Sequence, residues 1–252
     1  MAKIDTVLHG FSMGTSQGNL AFCGVTLIEG TKRILVDVAH NGRRQNLLDE
    51  LKTRGLTPDD IDYVFLTHAH WDHMLNIDMF KKSKVLISSV EREYIKNPRE
   101  SDFATTSYTS HIIESCQLQE VRDGEELDDG VSVMATPGHS KGSHALLVRN
   151  GDSVSAICGD ALPNGGSVVT GMPRIVFWDV EDARKSITRL LERAQSFYPG
   201  HDRPFRVGDA NKVTYIEPTS IRIFGWPEAG EGEGGPGISY AAEAPGAPRI
   251  YA

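Results

Sequence analysis

Three histidines and an aspartate lie within six residues of one another, in Thr67-His68-Ala69-His70-Trp71-Asp72-His73. The apolar residues 63–66 precede them, and a short apolar run of this kind is typical of a buried strand. In extended backbone the direction of side chains repeats every two residues, so His68 and His70 point the same way. Asp72 and His73 follow on the turn and can face a second point. Imidazole and carboxylate are ligands of zinc, and also of manganese or iron, so the stretch predicts two divalent ions held side by side.

Three later loops supply further ligand types, each after an apolar run and beside a glycine. The segments are Thr136-Pro137-Gly138-His139, Cys158-Gly159-Asp160 and Tyr198-Pro199-Gly200-His201. A lone histidine is more often a core or surface residue than a metal ligand, but four loops with matching residue types favour a metal site. The order His-x-His-x-Asp-His, then His, Asp and His, resembles the metallo-β-lactamase superfamily over about residues 20 to 205.

The resemblance implies an α/β fold, an αββα sandwich of two mixed β-sheets flanked by helices, with the metals at one edge. It also implies a ligand set for two divalent metal ions, zinc first, with manganese or iron as alternatives. In that scheme His68, His70 and His139 bind one metal. Asp72, His73 and His201 bind the other, and Asp160 bridges both.

Hydrolysis is the reaction that such a site implies. A water shared by two divalent cations loses its proton near neutral pH, because its pKa falls from about 15.7 in bulk toward about 7. Asp72 faces that position in the scheme and is the predicted catalytic residue, acting as a proton shuttle. Asp37, at the end of a predicted strand, either supports the metal loop or caps its own loop.

Aromatic residues on the candidate pocket loops predict an apolar or aromatic small-molecule substrate. They are Trp71, Phe103, Tyr108, Phe177 and Trp178, although each taken alone is more often a core residue. Residues 97–111 and 162–178 show little periodicity and are predicted to be irregular loops over the pocket.

Ester, lactone and thioester cleavage are the default reactions. Lactone-cleaving members of the superfamily typically use a tyrosine after the bridging aspartate, and none stands between Asp160 and the next predicted helix. Hydrolysis of an activated aryl methyl ether, which releases methanol, is an alternative. A hypothesis of another class is a non-catalytic, metal-binding subunit of a complex.

Composition narrows the partners. The formal charge of −8 and the lack of a clustered basic surface argue against nucleic acid and against an anionic membrane. Three cysteines do not form a disulfide framework, and no leader or membrane span is evident, so a cytoplasmic location is expected.

Residues 1–225 are predicted to form one hydrolase domain. Residues 226–252, rich in Gly, Pro and Ala, are predicted to be a disordered tail or an arm that joins a homo- or hetero-oligomer.

Overall fold

The computed structural model describes residues 2–16, 18–221 and 249–250. The strands are β1 (Lys3–Leu8), β2 (Phe11–Thr15), β3 (Gly18–Phe22), β4 (Val25–Glu29), β5 (Arg33–Val36), β6 (Tyr63–Phe65), β7 (Lys84–Ser88), β8 (Leu118–Val121), β9 (Glu126–Asp128), β10 (Val131–Ala135), β11 (His144–Asn150), β12 (Ser153–Gly159), β13 (Ile175–Val176), β14 (Ser196–Pro199), β15 (Phe205–Val207), β16 (Val213–Tyr215) and β17 (Arg249–Ile250). The α-helices are α1 (Arg44–Thr53), α2 (Trp71–Met74), α3 (Ser89–Tyr94), α4 (Thr109–Glu114), α5 (Gly165–Thr170) and α6 (Val180–Arg193). Single 3₁₀ turns lie at Asn41–Arg43, Pro58–Asp60, Ile77–Met79 and Asp209–Asn211.

Two mixed sheets form the body of the molecule. The first has the strand order β1-β4-β5-β6-β7-β8, and the second has the order β16-β15-β14-β12-β11-β10-β9. Strands β5 to β8 run parallel to one another, as do β12 and β14, while the other neighbours in these two sheets are antiparallel. The hairpin of β2 and β3 stands apart as a two-stranded sheet.

The sheets pack face to face around a shared apolar layer. Ile34 and Phe65 of the first sheet share that buried cluster with Val133 and Leu146 of the second. The outer face of the first sheet packs with Leu47 and Leu51 of α1, and that of the second with Ile187 and Leu190 of α6. Burial of one apolar face per helix and both faces per sheet produces four layers. The predicted αββα sandwich is therefore confirmed.

The sheet directions bring the candidate ligands to one edge. The loops after β6, β10, β12 and β14 leave the carboxyl ends of their strands, and β10, β12 and β14 run in one direction within their sheet. The backbone N–H of His144 donates to the carbonyl of Thr67 at 2.8 Å, which joins this edge of the second sheet to the loop after β6. The four ligand loops consequently meet where the sheets meet.

Three local predictions differ from the structure. Residues 162–178 contain α5 and β13 and are not wholly irregular, and residues 109–111 of the other predicted loop belong to α4. The apolar pattern of residues 74–82 also predicts a helix, and this is wrong: α2 ends at Met74, and Ile77–Met79 form a separate 3₁₀ turn. Between them the Asn76 amide donates to the carbonyls of Val38 and His40 at 3.0 and 2.8 Å.

Near the end of the sequence, β17 pairs in parallel with β13. The rest of residues 226–252 lies outside the described residues, so the predicted tail or intersubunit arm stays a prediction. Among the described residues, no helix combines the length and apolar character needed to span a bilayer.

Candidate metal centre

Three imidazole nitrogens converge at one point. His70 Nδ1 lies 3.0 Å from His68 Nε2 and 3.0 Å from His139 Nε2. All three rings are buried, and their nitrogens fall within 4.8 Å of one another. We refer to this as the three-imidazole position.

A second group lies beside the first. Asp72 Oδ2 is 3.4 Å from His201 Nε2 and 3.8 Å from His73 Nε2. Asp160 lies between the groups: its Oδ2 is 3.1 Å from His201 Nε2 and 3.4 Å from His139 Nε2, and its Oδ1 is 3.4 Å from His73 Nε2. The fold thus brings together all seven side chains that the sequence singled out.

The second ring nitrogen of every candidate ligand histidine is satisfied. The N–H donors and their acceptors are His68 Nδ1 to Thr67 Oγ1 (3.1 Å), His70 Nε2 to Asp102 Oδ2 (3.4 Å), His73 Nδ1 to Asp37 Oδ2 (2.7 Å), His139 Nδ1 to the carbonyl of Ile175 (2.8 Å) and His201 Nδ1 to the carbonyl of Phe22 (3.2 Å). Carboxylate and carbonyl oxygens can only accept, and the Thr67 hydroxyl itself donates to Asp37. The partners therefore fix the tautomers, and the lone pairs of the opposite nitrogens face the shared space.

Buried atoms without partners mark that space. Asp72 Oδ2, His73 Nε2 and Asp160 Oδ1 are buried and form no hydrogen bond within the described residues. Unsatisfied buried polar atoms are costly, and metal-ligating histidines characteristically donate their other N–H to an acceptor. The donor set, its convergence and its orphaned atoms fit two divalent cations.

The electrostatics of the centre follow from burial and from neighbouring charge. Burial lowers the pKa of His139 to about 4 and, with the charge of His73 beside it, holds the pKa of His68 well below its usual range. For Asp160, burial is outweighed by nearby histidine charge, and its pKa falls well below the ordinary value. For His70 and His201 burial is outweighed by the carboxylates of Asp102 and Asp160, which raise the pKa of these two rings. Neutral imidazole and ionised carboxylate are the forms that bind metal, so metal binding at these two rings would displace a proton.

Asp37 supports the loop from beneath. It adopts a left-handed conformation (φ 58°) directly after β5, and it accepts from the backbone N–H of Thr67 at 2.9 Å as well as from His73. A non-glycine residue in this region is strained by about 1 kcal/mol or more, which such contacts can hold in place. The supporting role expected for Asp37 is therefore favoured over simple capping of its own loop.

Asp102 supports His70 and was not foreseen from the sequence. Its carboxylate, buried within residues 97–111, accepts from Tyr94 Oη at 2.9 Å and from Thr105 Oγ1 at 2.8 Å, in addition to His70. Burial alone would raise the pKa of Asp102, but these hydrogen bonds and the His70 charge hold it far below its usual range. The stretch lacks periodicity, so no sequence pattern announces this contact.

Two glycines hold the loop that carries His201. The N–H of Gly24 donates to the carbonyl of Gly200 at 2.6 Å, and the N–H of Gly10 donates to the carbonyl of Asp202 at 3.2 Å. A Cβ at either glycine would overlap the backbone of residues 199–202. Both ends of the β2–β3 hairpin are thereby fixed against this ligand loop.

A cavity of about 270 Å³ opens over the centre, and five candidate ligands form its floor: His70, Asp72, His139, Asp160 and His201. Its wall is mostly apolar and includes Met13, Leu20 and Ala21 of the hairpin, Trp71, Phe103, Ile175 and Phe177. Asn19, Asn164 and Arg174 are among its polar members, and Arg174 is the only Lys or Arg in the described lining. No tyrosine is among the described residues that line it.

Trp71, Phe103 and Phe177, three of the five predicted substrate contacts, thus line the cavity. Tyr108 lies half-exposed at the start of α4, outside the lining. Trp178 is also outside it: Arg99 lies 3.9 Å and Lys141 4.7 Å from the centre of its ring. The sequence makes residues 11–18 a candidate wall of the pocket, and Met13 does line it, whereas the sequence missed Arg174, which only the fold brings to this wall.

Comparison with known proteins agrees with this architecture. The family model described as the metallo-beta-lactamase superfamily matches residues 19–201. The chain belongs to the metallo-beta-lactamase superfamily. Metallo-beta-lactamase domain-containing protein 1 of Xenopus laevis is 31% identical over 209 residues, which are 81% of this chain and 82% of the relative. The mouse protein of the same name is 30% identical over 178 residues, but this chain spans only 61% of its length.

Other members of the superfamily include a lactonase. An N-acyl homoserine lactonase of Bacillus thuringiensis is 29% identical over 183 residues, which cover 70% of this chain and 68% of the relative. Among solved structures, a probable metal-dependent hydrolase from Staphylococcus aureus superposes with a TM-score of 0.72 at 16% identity, covering 88% of this chain and 98% of the other. The dizinc quorum-quenching lactonase AidC superposes with a TM-score of 0.61 at 19% identity, covering 81% of each chain. These two structural likenesses concern the fold.

Proposed function

We propose that this protein is a metal-dependent hydrolase of a small, largely apolar ester or lactone, with two divalent cations, zinc foremost, held by the seven converging side chains. The observation that carries the proposal is the set of buried, unpartnered ligand atoms of Asp72, His73 and Asp160, of which Asp72 and Asp160 line the floor of an apolar cavity. When bound, such cations supply Lewis acidity and make water a nucleophile near neutral pH.

Asp72 is the proposed catalytic residue among the protein's own groups. Its Oδ2 has no hydrogen-bond partner among the described residues, lies 3.4 Å from His201 Nε2, and belongs to the cavity floor. A carboxylate placed there can accept the proton that an attacking water loses and return it to the leaving oxygen. His73 Nε2 lies beside this carboxylate, 3.8 Å from Asp72 Oδ2 and 3.4 Å from Asp160 Oδ1.

The wall of the cavity determines which substrate enters. Trp71, Phe103 and Phe177 present apolar surface that excludes water and fits an acyl chain or an aromatic ring, while Asn19 and Asn164 offer polar contacts. The lactonase relative supports a lactone or ester as the bond cleaved. A tyrosine of the kind expected in lactone-cleaving members is absent from the described lining, so an acyclic ester is tested beside the lactone.

The proposal is tested with full-length protein, stripped by a chelator and then reloaded with zinc, manganese or iron. The substrates are 4-nitrophenyl hexanoate, an N-hexanoyl homoserine lactone, an acyl thioester and an electron-poor aryl methyl ether. We expect two metals per chain and turnover of the ester or the lactone that disappears on stripping. Turnover of the ether alone would replace the proposed reaction with demethylation.

Asp72→Asn should lower kcat by about 10²- to 10⁴-fold, because the neutral amide cannot take the proton. Asp78→Asn is the matched control, because it makes the same change at an exposed residue that pairs with Arg44. This surface substitution should leave kcat within about twofold. Two bound metals with no turnover of any substrate would favour the non-catalytic subunit instead.

A further inference from the structure

Glu91 is a buried carboxylate without an ion pair. It is the third residue of α3, its side chain is fully buried, and no Lys, Arg or His of the described chain forms an ion pair with it. A buried carboxylate is stable only when hydrogen bonds or charges compensate for its lost hydration. The hydrogen bonds of the Glu91 carboxylate therefore show which segments of the chain it stabilises.

Those contacts reach two ligand loops. Glu91 Oε1 accepts from the backbone N–H of Ala69 at 3.0 Å, and Oε2 accepts from the backbone N–H of Gly142 at 2.8 Å. The hydroxyl of Ser140 lies 2.7 Å from Oε1 and 2.6 Å from Oε2. Ala69 stands between two candidate ligands in the sequence, and Ser140 directly follows a third. One carboxylate thus joins the loop after β6 to the loop after β10.

These loops belong to different sheets and have to be held in register. His70 Nδ1 and His139 Nε2, one from each loop, lie 3.0 Å apart. Ser88 Oγ, at the start of α3, also donates to the carbonyl of Gly142 at 2.8 Å. A Cβ at Gly142 would overlap the backbone of Glu91, so the loop rests directly on the start of the helix.

We propose that Glu91 is a positioning residue that sets the separation of the His68–His70 pair from His139 and thereby the metal affinity of the three-imidazole position. The inference rests on the proposed function, since it assumes that these side chains hold metal. Metal ligands must sit within about 0.5 Å of their bound geometry. A glutamine at position 91 would direct an NH₂ group at backbone N–H donors and move at least one loop away.

The experiment compares Glu91→Gln with Ser140→Ala, which removes the shared hydroxyl but keeps the carboxylate. Glu93→Gln is the matched control, because Glu93 lies on the same helix, is exposed and pairs with Lys96. Each full-length protein is stripped and titrated with Zn²⁺ against a competing chelator. Co²⁺ titration adds a visible spectrum that depends on coordination geometry. Thermal unfolding of the metal-free chains measures folding separately.

We expect Glu91→Gln to weaken one of the two zinc sites about 10- to 100-fold and to change the Co²⁺ spectrum, as loss of a supporting contact does elsewhere. Ser140→Ala should weaken it several-fold, and Glu93→Gln should not. In a chain that also carries His139→Ala, Glu91→Gln should lower zinc affinity less than about threefold, because the three-imidazole position has already lost one ligand.

Each other outcome counts against the inference. A lower melting temperature with unchanged zinc affinity and an unchanged Co²⁺ spectrum would make Glu91 a purely structural residue. The same conclusion would follow if neither variant folded without metal while Glu93→Gln did. A wild-type chain that binds no metal would overturn the proposed function itself, whereas two tight zinc sites in both wild type and Glu91→Gln would overturn only this inference.

Discussion

The candidate ligand histidines are held in two different ways in the two halves of the chain. In the first half, side chains hold them: Asp37 accepts from His73, and Asp102 accepts from His70. In the second half, backbone carbonyls hold them. Ile175 accepts from His139, and Phe22, at the end of the hairpin, accepts from His201.

The difference predicts which single substitutions weaken metal binding. A carboxylate raises the basicity of the imidazole it accepts from and can be removed by a single substitution. A backbone carbonyl carries less charge, and it remains in place when the side chain of its residue is substituted. The first half should therefore tolerate little change without losing metal, whereas side chains in the second half can vary around a fixed backbone contact.

The largest effect is expected for Asp37→Asn. The amide would direct an NH₂ group at the N–H of Thr67 or of His73, so a buried donor would lose its acceptor. We expect metal affinity at the Asp72–His73–His201 group to fall about 10- to 100-fold. The free energy of unfolding should fall by about 1–3 kcal/mol. Chelator competition and urea unfolding measure the two effects, and unchanged metal affinity would contradict the supporting role.

Asp102→Asn should have an intermediate effect. Tyr94 and Thr105 can still donate to the remaining carbonyl oxygen. The new NH₂ group would then face the His70 ring N–H and the backbone N–H groups of Ala104 and Thr105, which lose their acceptor. We expect about a tenfold loss of zinc affinity at the three-imidazole position. Zinc titration of the stripped chain checks this, with Asp123→Asn, an exposed carboxylate 4.0 Å from Arg189, as the control. A loss larger than that of Asp37→Asn would reverse the ranking.

Ile175→Ala should have the smallest effect and should act on substrate alone. The change removes apolar surface from the cavity wall but leaves the carbonyl that accepts from His139. We expect KM for an apolar ester to rise about fivefold, the equivalent of roughly 1 kcal/mol of lost burial, with zinc affinity unchanged. Steady-state kinetics and a zinc titration check both parts. If zinc affinity also fell, the cavity wall and the support of His139 would not be independent, and the prediction would be contradicted.

The sequence alone located the converging side chains better than their supports. The seven candidate ligands are recognisable because they follow strand-like runs, and strand ends meet at a sheet edge whatever the helices do. Glu91 and Asp102 carry no such signal, since a carboxylate on a short helix or in an aperiodic loop is usually solvated. Their roles depend on which loops the finished fold lays against them. For the same reason Trp178, predicted at the cavity, instead packs between two cationic side chains.

Gly10 and Gly24 give the hairpin a fixed base, since both donate to the His201 loop and neither can carry a side chain there. The carbonyl of Phe22 also contacts that loop, but residues 11–21 are free of this constraint. Evolution, or a protein engineer, can lengthen, shorten or exchange residues 11–21 as a module and so change which molecules are admitted, while the catalytic floor keeps its form.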